Sequence, residues 1–154
     1  MIDDTDIRII GELKENSRAS FNEIARNLDL APSTVGSRVR KMEESGVIKG
    51  YKPVIDHEKI GFELTAMIHI SASAEKVEEV AGKLESNNRV ISFFEVTGET
   101  DMIAVTRFFD REDMNATLKN FQKIEGLEST ETHVVLTTPI LDGGVNLGQL
   151  IEEL

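Results

Sequence analysis

Residues 20–51 read SFNEIARNLDLAPSTVGSRVRKMEESGVIKGY, and this stretch decides the fold because helix signals, turn signals and positive charge coincide in it. Ser20 and Glu23 have the S-x-x-E spacing of a capping box, so a helix is predicted from Phe21, with Phe21, Ile24, Ala25 and Leu28 as its apolar stripe. It is expected to end between Asn27 and Asp29, with Leu30 turned into the core. Pro32 suits the first position of a following helix, where its missing N–H would be unpaired anyway. Val35, Val39 and Met42 then recur by four and three residues and face inward, leaving Ser33, Ser37, Arg40 and Lys41 on the solvent side. Ser45-Gly46 closes that helix.

A short, polar, basic helix face fits the major groove of B-DNA, where Arg and Lys neutralise phosphates or reach guanine and hydroxyl side chains allow close approach. In a helix-turn-helix the N-terminal part of the second helix reads bases, which here means Ser33, Thr34 and Ser37. Taken alone, the charges also fit an ordinary solvated face. Arg38 lies nearer the buried stripe, so it is placed either on DNA or as a brace against a carboxylate such as Glu44 or Asp29. Val47 to Lys52 reads as a strand that pairs with Pro53 to Asp56 or with a partner chain. Lys49 and Lys52 on it either touch flanking phosphates or guard a solvated edge.

The order DDTDIRIIGELKENSRASFNEIA (3–25), APSTVGSRVRKMEESGVIKGYKPVID (31–56) and KIG (59–61) resembles the leucine-responsive regulatory protein (Lrp)/AsnC family of prokaryotic transcription regulators. Asp6, Ile9, Ile10, Leu13, Arg18, Ala25, Val35, Arg38, Val39, Glu43, Gly46, Val47, Ile48, Gly50, Tyr51, Asp56 and Gly61 carry the match. Ala31 departs from it, since family members usually have a capping Ser there, worth about 1 kcal/mol more than alanine. The resemblance tips this face toward double-stranded DNA as partner; of the contact set read from the helix face and the segment after it, Ser33, Thr34, Ser37, Arg40 and Lys41 come first, with Arg38 and Lys49 behind them.

The chain of 154 residues has room for two small domains that support each other by oligomerising. It has no cysteine, hence neither disulfides nor thiolate chemistry. No apolar run approaches a membrane span and MIDDTDI is acidic where a signal peptide would be basic, so a soluble cytoplasmic protein without a membrane partner is expected. The net charge of −11 speaks against nucleic acid until its distribution is examined: residues 1–30 carry −3, residues 31–52 carry +3 and residues 53–154 carry −11. Positive charge is concentrated on the second motif helix and the segment after it.

Ahead of this motif, Thr5 to Asn16 is predicted as a helix with Ile7, Ile10 and Leu13 inward and Asp3, Asp4 and Asp6 near its positive end. Behind it, Leu64 to Ser71 alternates as a strand with Leu64, Ala66, Ile68 and Ile70 on one face. Ser73 opens a helix with Val77, Val80, Ala81 and Leu84 on one side. Strands Val90–Thr97 and Met102–Phe108 follow, then a helix capped by Asp110 with Met114, Leu118, Phe121 and Ile124 inward and Gly126 past its end, then a strand from Glu128 to Thr137. The fold class is α+β: an N-terminal helix-turn-helix, winged-helix-like, and a C-terminal ferredoxin-like βαββαβ module. The expected boundaries are 1–52 for the DNA-binding domain, 53–62 for a linker, 63–138 for the second domain and 139–154 for a C-terminal arm, which is either an oligomer contact or a loose tail.

Both helices of the βαββαβ order cover one face of its sheet. The other face, with Met67 and, depending on register, Phe93 or Phe94 and Val134 or Val135, is expected to pair with a second copy. The resemblance agrees: family members dimerise through this module, the RAM domain, and assemble further into tetramers or octamers. Gly98-Glu99-Thr100-Asp101 reads by composition as a hairpin turn. In the family a Gly-x-x-Asp here belongs to an effector pocket between subunits, together with hydroxyls matched by Thr130 and Thr132, which implies an amino-acid-like effector. No other cofactor is expected.

No catalytic or metal set is completed. His69 and His133 fall on neighbouring strands and could approach each other, but no H-x-x-H, H-E-x-x-H or clustered Asp pattern accompanies them. No enzyme is therefore expected. Two alternatives stand beside a regulator with an effector: a tetrapyrrole (siroheme-type) decarboxylase subunit, which resembles this family in both modules but needs positive charge where residues 53–154 are acidic, and an effector-free architectural DNA binder.

Overall fold

The computed structural model describes residues 2–138 and Leu147, and within them the chain divides into two compact units between Val54 and Ile55. The predicted arm, 139–154, lies outside the described residues except for that one position.

The first unit holds three helices, α1 (Asp4–Glu15), α2 (Phe21–Leu28) and α3 (Pro32–Glu44). α1 begins one residue earlier than the expected Thr5 and ends one before Asn16, because Asp3 caps it: the Asp3 side chain accepts from Asp6 N–H while the Asp6 side chain accepts from Asp3 N–H. α2 starts with the reciprocal Ser20–Glu23 box and ends at Asp29, whose φ of 55° lets Leu30 N–H reach Ala25 C=O at 2.8 Å. α3 opens on Ala31, which makes no side-chain cap, followed by Pro32. Ile9, Leu13, Ile24, Ala25, Val35, Val39 and Met42 form the core of this unit, with Leu28 and Leu30 packed against it. Gly36 lets α2 approach α3, since a Cβ there would meet the Phe21 ring at 3.2 Å.

The expected strand Val47–Lys52, with its hairpin to Asp56, is absent among the described residues, where 47–56 carry no strand. Gly50 has a φ of 152°, outside the strand region, and Pro53 has no N–H to give a ladder. This segment instead leans on α3: Ile48 N–H donates to Met42 C=O at 3.1 Å and the Tyr51 hydroxyl to Glu43 Oε1 at 2.9 Å.

The second unit carries β1 (Leu64–Ala72), α4 (Val77–Glu85), β2 (Val90–Glu95), β3 (Met102–Phe108), α5 (Arg111–Phe121) and β4 (Leu127–Val134), after a 3-10 turn at Glu58–Ile60. The antiparallel sheet runs β2-β3-β1-β4, the order expected of a ferredoxin-like module. Ala66, Ile68 and Ile70 from β1 and Met102, Ala104 and Phe108 from β3 are buried against Val80, Leu84 and Phe121 of the helices. Fully burying a side chain such as Ile68 contributes roughly 2 kcal/mol. Thr106 sits in the same buried row because its hydroxyl donates to Ala66 C=O at 2.9 Å.

Four boundaries in this unit differ from expectation by more than one residue. α4 begins at Val77, not Ser73, because residues 73–76 form a turn in which Lys76 N–H donates to Ser73 C=O. α5 stops at Phe121, and Ile124 reaches the core from the turn beyond, where Gly126 has a φ of 92°. β2 and β4 are shorter, ending at Glu95 and Val134.

Register settles the uncovered face. Residues directly opposite across a ladder point the same way, so Met67 pairs with Val105 and His133 there, and Phe94 with Ile103. Val135, whose N–H donates to Thr65 C=O, extends the same row, whereas Phe93 and Val134 lie opposite Ala104 and Ala66 on the helix side. Met67 is 39% and Phe94 52% exposed within one chain.

Candidate nucleic-acid interface

The solvent side of α3 follows from the burial of Val35, Val39 and Met42. Ser33, Thr34, Ser37, Arg40 and Lys41 are exposed, and Lys49 is exposed just beyond the helix. Ser33, Thr34, Ser37, Arg38 and Lys41 line an open cleft of ≈ 470 Å³ together with Asp3 and Asp6 from the start of α1; Arg40 is not among its lining residues. The helix-turn-helix thus gathers five of the seven residues expected to meet DNA.

Arg38 is braced, but not by Glu44 or Asp29. Its Nη1 lies 2.8 Å from both oxygens of Asp3 and 2.8 Å from Oδ1 of Asp6. This hydrogen bond from Arg38 holds the Asp3 carboxyl below its usual value, with the Asp6 N–H adding to the effect. In return Asp3, and then Asp6, push the guanidinium above its usual range. Asp6 is nearly buried and Asp3 half exposed, so the brace spans from core to surface. In the sequence these two aspartates read as helix-end charges, and Asp6 also as part of the family match; the D-x-x-D spacing of a capping box is the signal that ties them to each other. Past the end of α3, burial pushes the Tyr51 hydroxyl up, with its bond to Glu43 adding to the shift.

In the second unit the turn after β2 is tied to β1. Thr100 Oγ1 donates to Ile70 C=O at 2.7 Å, and Asp101 N–H donates to the same carbonyl at 3.1 Å. Asp101 Oδ2 accepts from Ala72 N–H at 2.9 Å. Gly98 has a φ of 125° and is exposed with Glu99. Thr130 and Thr132 lie opposite Ile70 and Ile68 on β4, so β1 separates them from the turn, and both point to the helix side of the sheet. On the open side the His69 and His133 rings approach to 5.1 Å and His133 Nε2 is 3.4 Å from Glu131. Among the described residues no group of three or more His, Asp or Glu could hold a metal ion, and no helix is long and apolar enough to cross a membrane.

A helix-turn-helix with a polar basic second helix, followed by a ferredoxin-like α/β module, is the arrangement of a two-unit DNA-binding protein. The family description "Winged helix-turn-helix DNA-binding" matches residues 2–49, and "Lrp/AsnC ligand binding domain" matches residues 65–145. The chain belongs to the Lrp/AsnC family. It is 43% identical to an HTH-type transcriptional regulator of Pyrococcus abyssi, over 88% of this chain and 92% of that one. It is 34% identical to the regulatory protein AsnC of Haemophilus influenzae, over 91% and 95% respectively. A transcriptional regulator of Neisseria meningitidis, solved as a complex with L-Met, superposes with a TM-score of 0.91 at 26% identity, covering 97% of this chain and 99% of that one. These matches give the decarboxylase alternative no support.

Proposed function

We propose that the α3 face binds double-stranded DNA through Ser33, Thr34, Ser37, Arg38, Arg40 and Lys41, with Lys49 on a flanking phosphate. The observation that carries this reading is the cleft in which three short hydroxyl side chains stand beside Arg38 and Lys41 on the solvent side of α3. Short side chains let base edges come close, and exposed cations neutralise phosphates. Residues 1–52 serve as the DNA-binding part, 53–62 as linker and 63–138 as the oligomerising, effector-binding part of a cytoplasmic protein with no catalytic role.

The open sheet face, with Met67, Phe94, Ile103 and Val105, joins a second copy, and dimers assemble further. An amino-acid-like effector binds at Gly98, Glu99, Thr100 and Asp101, with Thr130 and Thr132 as the second part of the set. The L-Met held by the Neisseria regulator supports an amino acid as the ligand class. An effector that prefers one assembly state shifts that equilibrium and so changes how many DNA half-sites are engaged.

The test is binding of the full-length protein to the DNA upstream of its own gene at several salt concentrations. Tight binding that outlasts excess random DNA and weakens steeply with salt is the expected result. Absence of binding at low salt would overturn the α3 assignment.

A further inference from the structure

Arg38 is anchored along one side only. All three of its carboxylate contacts run through Nη1, whereas among the described residues Nε and Nη2 donate to no protein acceptor. Among the described residues the buried polar atoms without a partner lie on Asp4 and Arg107, so Nε and Nη2 are not fully buried, and the Arg38 side chain is 31% exposed. It lines the same cleft as Ser33, Thr34 and Ser37.

We propose that Arg38 is a specificity-determining residue: Asp3 and Asp6 hold Nη1 while Nε and Nη2 donate together to O6 and N7 of one guanine in the major groove. This rests on the reading of α3 as the DNA-facing helix. The guanidinium is a rigid planar fork, and two neighbouring donors match the paired acceptors of guanine. Fixing Nη1 beforehand removes part of the ordering cost of the contact. Phosphate also offers paired acceptors, and local charge decides between the two. Asp3 and Asp6 offset Arg38 and Lys41, so the cleft has no net positive charge to draw an anionic phosphate to this edge, whereas the guanine edge is uncharged and does not need one. Arg40 and Lys41 are exposed and have no carboxylate partner among the described residues, which suits them to phosphate.

The test uses the full-length protein and a pool of random-sequence duplexes from which bound sequences are enriched. Wild type should enrich a guanine at a fixed place in each half-site. Replacing that guanine by 7-deazaguanine, which lacks the N7 acceptor, should weaken wild-type binding about tenfold. Arg38→Met should lose preference at that place alone and show no further loss with 7-deazaguanine. Asp6→Asn, which removes a negative charge from a DNA-facing surface, should nevertheless lower the preference for guanine there. A motif unchanged in Arg38→Met, with a salt slope reduced by about one, would mean a phosphate contact and overturn the inference. Equal wild-type binding to guanine and 7-deazaguanine at every position would overturn it without relying on any variant's folding, and would leave the α3 interface standing. A pool that yields no enriched duplex would overturn both.

Discussion

Asp101 Oδ2 accepts a hydrogen bond from the backbone N–H of Ala72 at 2.9 Å, so the carboxylate expected to hold an effector also fastens the end of β1. The two roles separate by substitution. Asp101→Asn keeps an oxygen acceptor for Ala72 but loses the charge that would face an ammonium group. Thermal shifts with a panel of amino acids should vanish in this variant while its ligand-free stability stays near wild type. Asp101→Ala should lose about 1 kcal/mol of stability as well. A preserved shift in Asp101→Asn would remove this turn from the effector site.

Replacing Arg40 and Lys41 together by alanine should weaken DNA binding and reduce the salt slope by up to about 2, since each phosphate contact contributes roughly 0.9. Both side chains are exposed, so assembly size by light scattering should not change. A change in size would mean that this face packs against protein.

Acid should open the brace at Arg38. Asp3 is held below its ordinary carboxyl value by Arg38, so its contribution is present above that ordinary value and is lost as pH falls through the depressed one. Arg38, pushed upward, stays charged throughout this window. Wild type and Asp3→Asn should therefore differ in melting temperature near neutral pH and converge only below pH about 4. A difference that persists unchanged into stronger acid would show that the charge of Asp3 does not carry the effect, since asparagine caps a helix as well as aspartate does.

Ala31 leaves the start of α3 without a side-chain cap. Ala31→Ser should stabilise the protein by about 1 kcal/mol, provided the hydroxyl reaches Thr34 N–H, which now bonds to Ala31 C=O at 2.9 Å. Denaturant unfolding followed by circular dichroism measures the gain, and no gain would show that Pro32 already fixes this helix start.

The open face gives a readout of assembly. Met67→Glu with Phe94→Glu should shift the protein toward monomer in analytical ultracentrifugation at little cost to the chain itself, because both side chains are partly exposed within one copy. Unchanged sedimentation would move the contact elsewhere.

Local patterns carried the reading from sequence well where the determinants were local. The Ser20–Glu23 box, Pro32 and the spacing of Val35, Val39 and Met42 placed α2 and α3 because each signal acts within a turn or two of chain. Alternation along Leu64 to Ser71 likewise gave the buried row of β1. Val47 to Lys52 misled because its alternation resembles a strand, while the φ of Gly50 and the missing N–H of Pro53 deny it a ladder. The partners of Arg38 stayed hidden for another reason: Asp3 and Asp6 are more than thirty residues away in sequence, brought near only when α1 packs on α3. Phe94 rather than Phe93 was likewise a matter of register, which shows itself only when β2 meets β3.

The missing hairpin sets a physical reach. Tyr51 is held to α3 by Glu43, and His57 Nδ1 lies 2.8 Å from the Ile55 carbonyl, at the entry to the turn that leads into β1. Between these two anchors the chain passes from one unit to the other, and a fully extended segment of that length spans about 20 Å. On the proposed reading of a dimer on two half-sites, the length of this segment, and not the strength of the base contacts, is what limits how far a DNA-binding unit follows base pairs inserted between them.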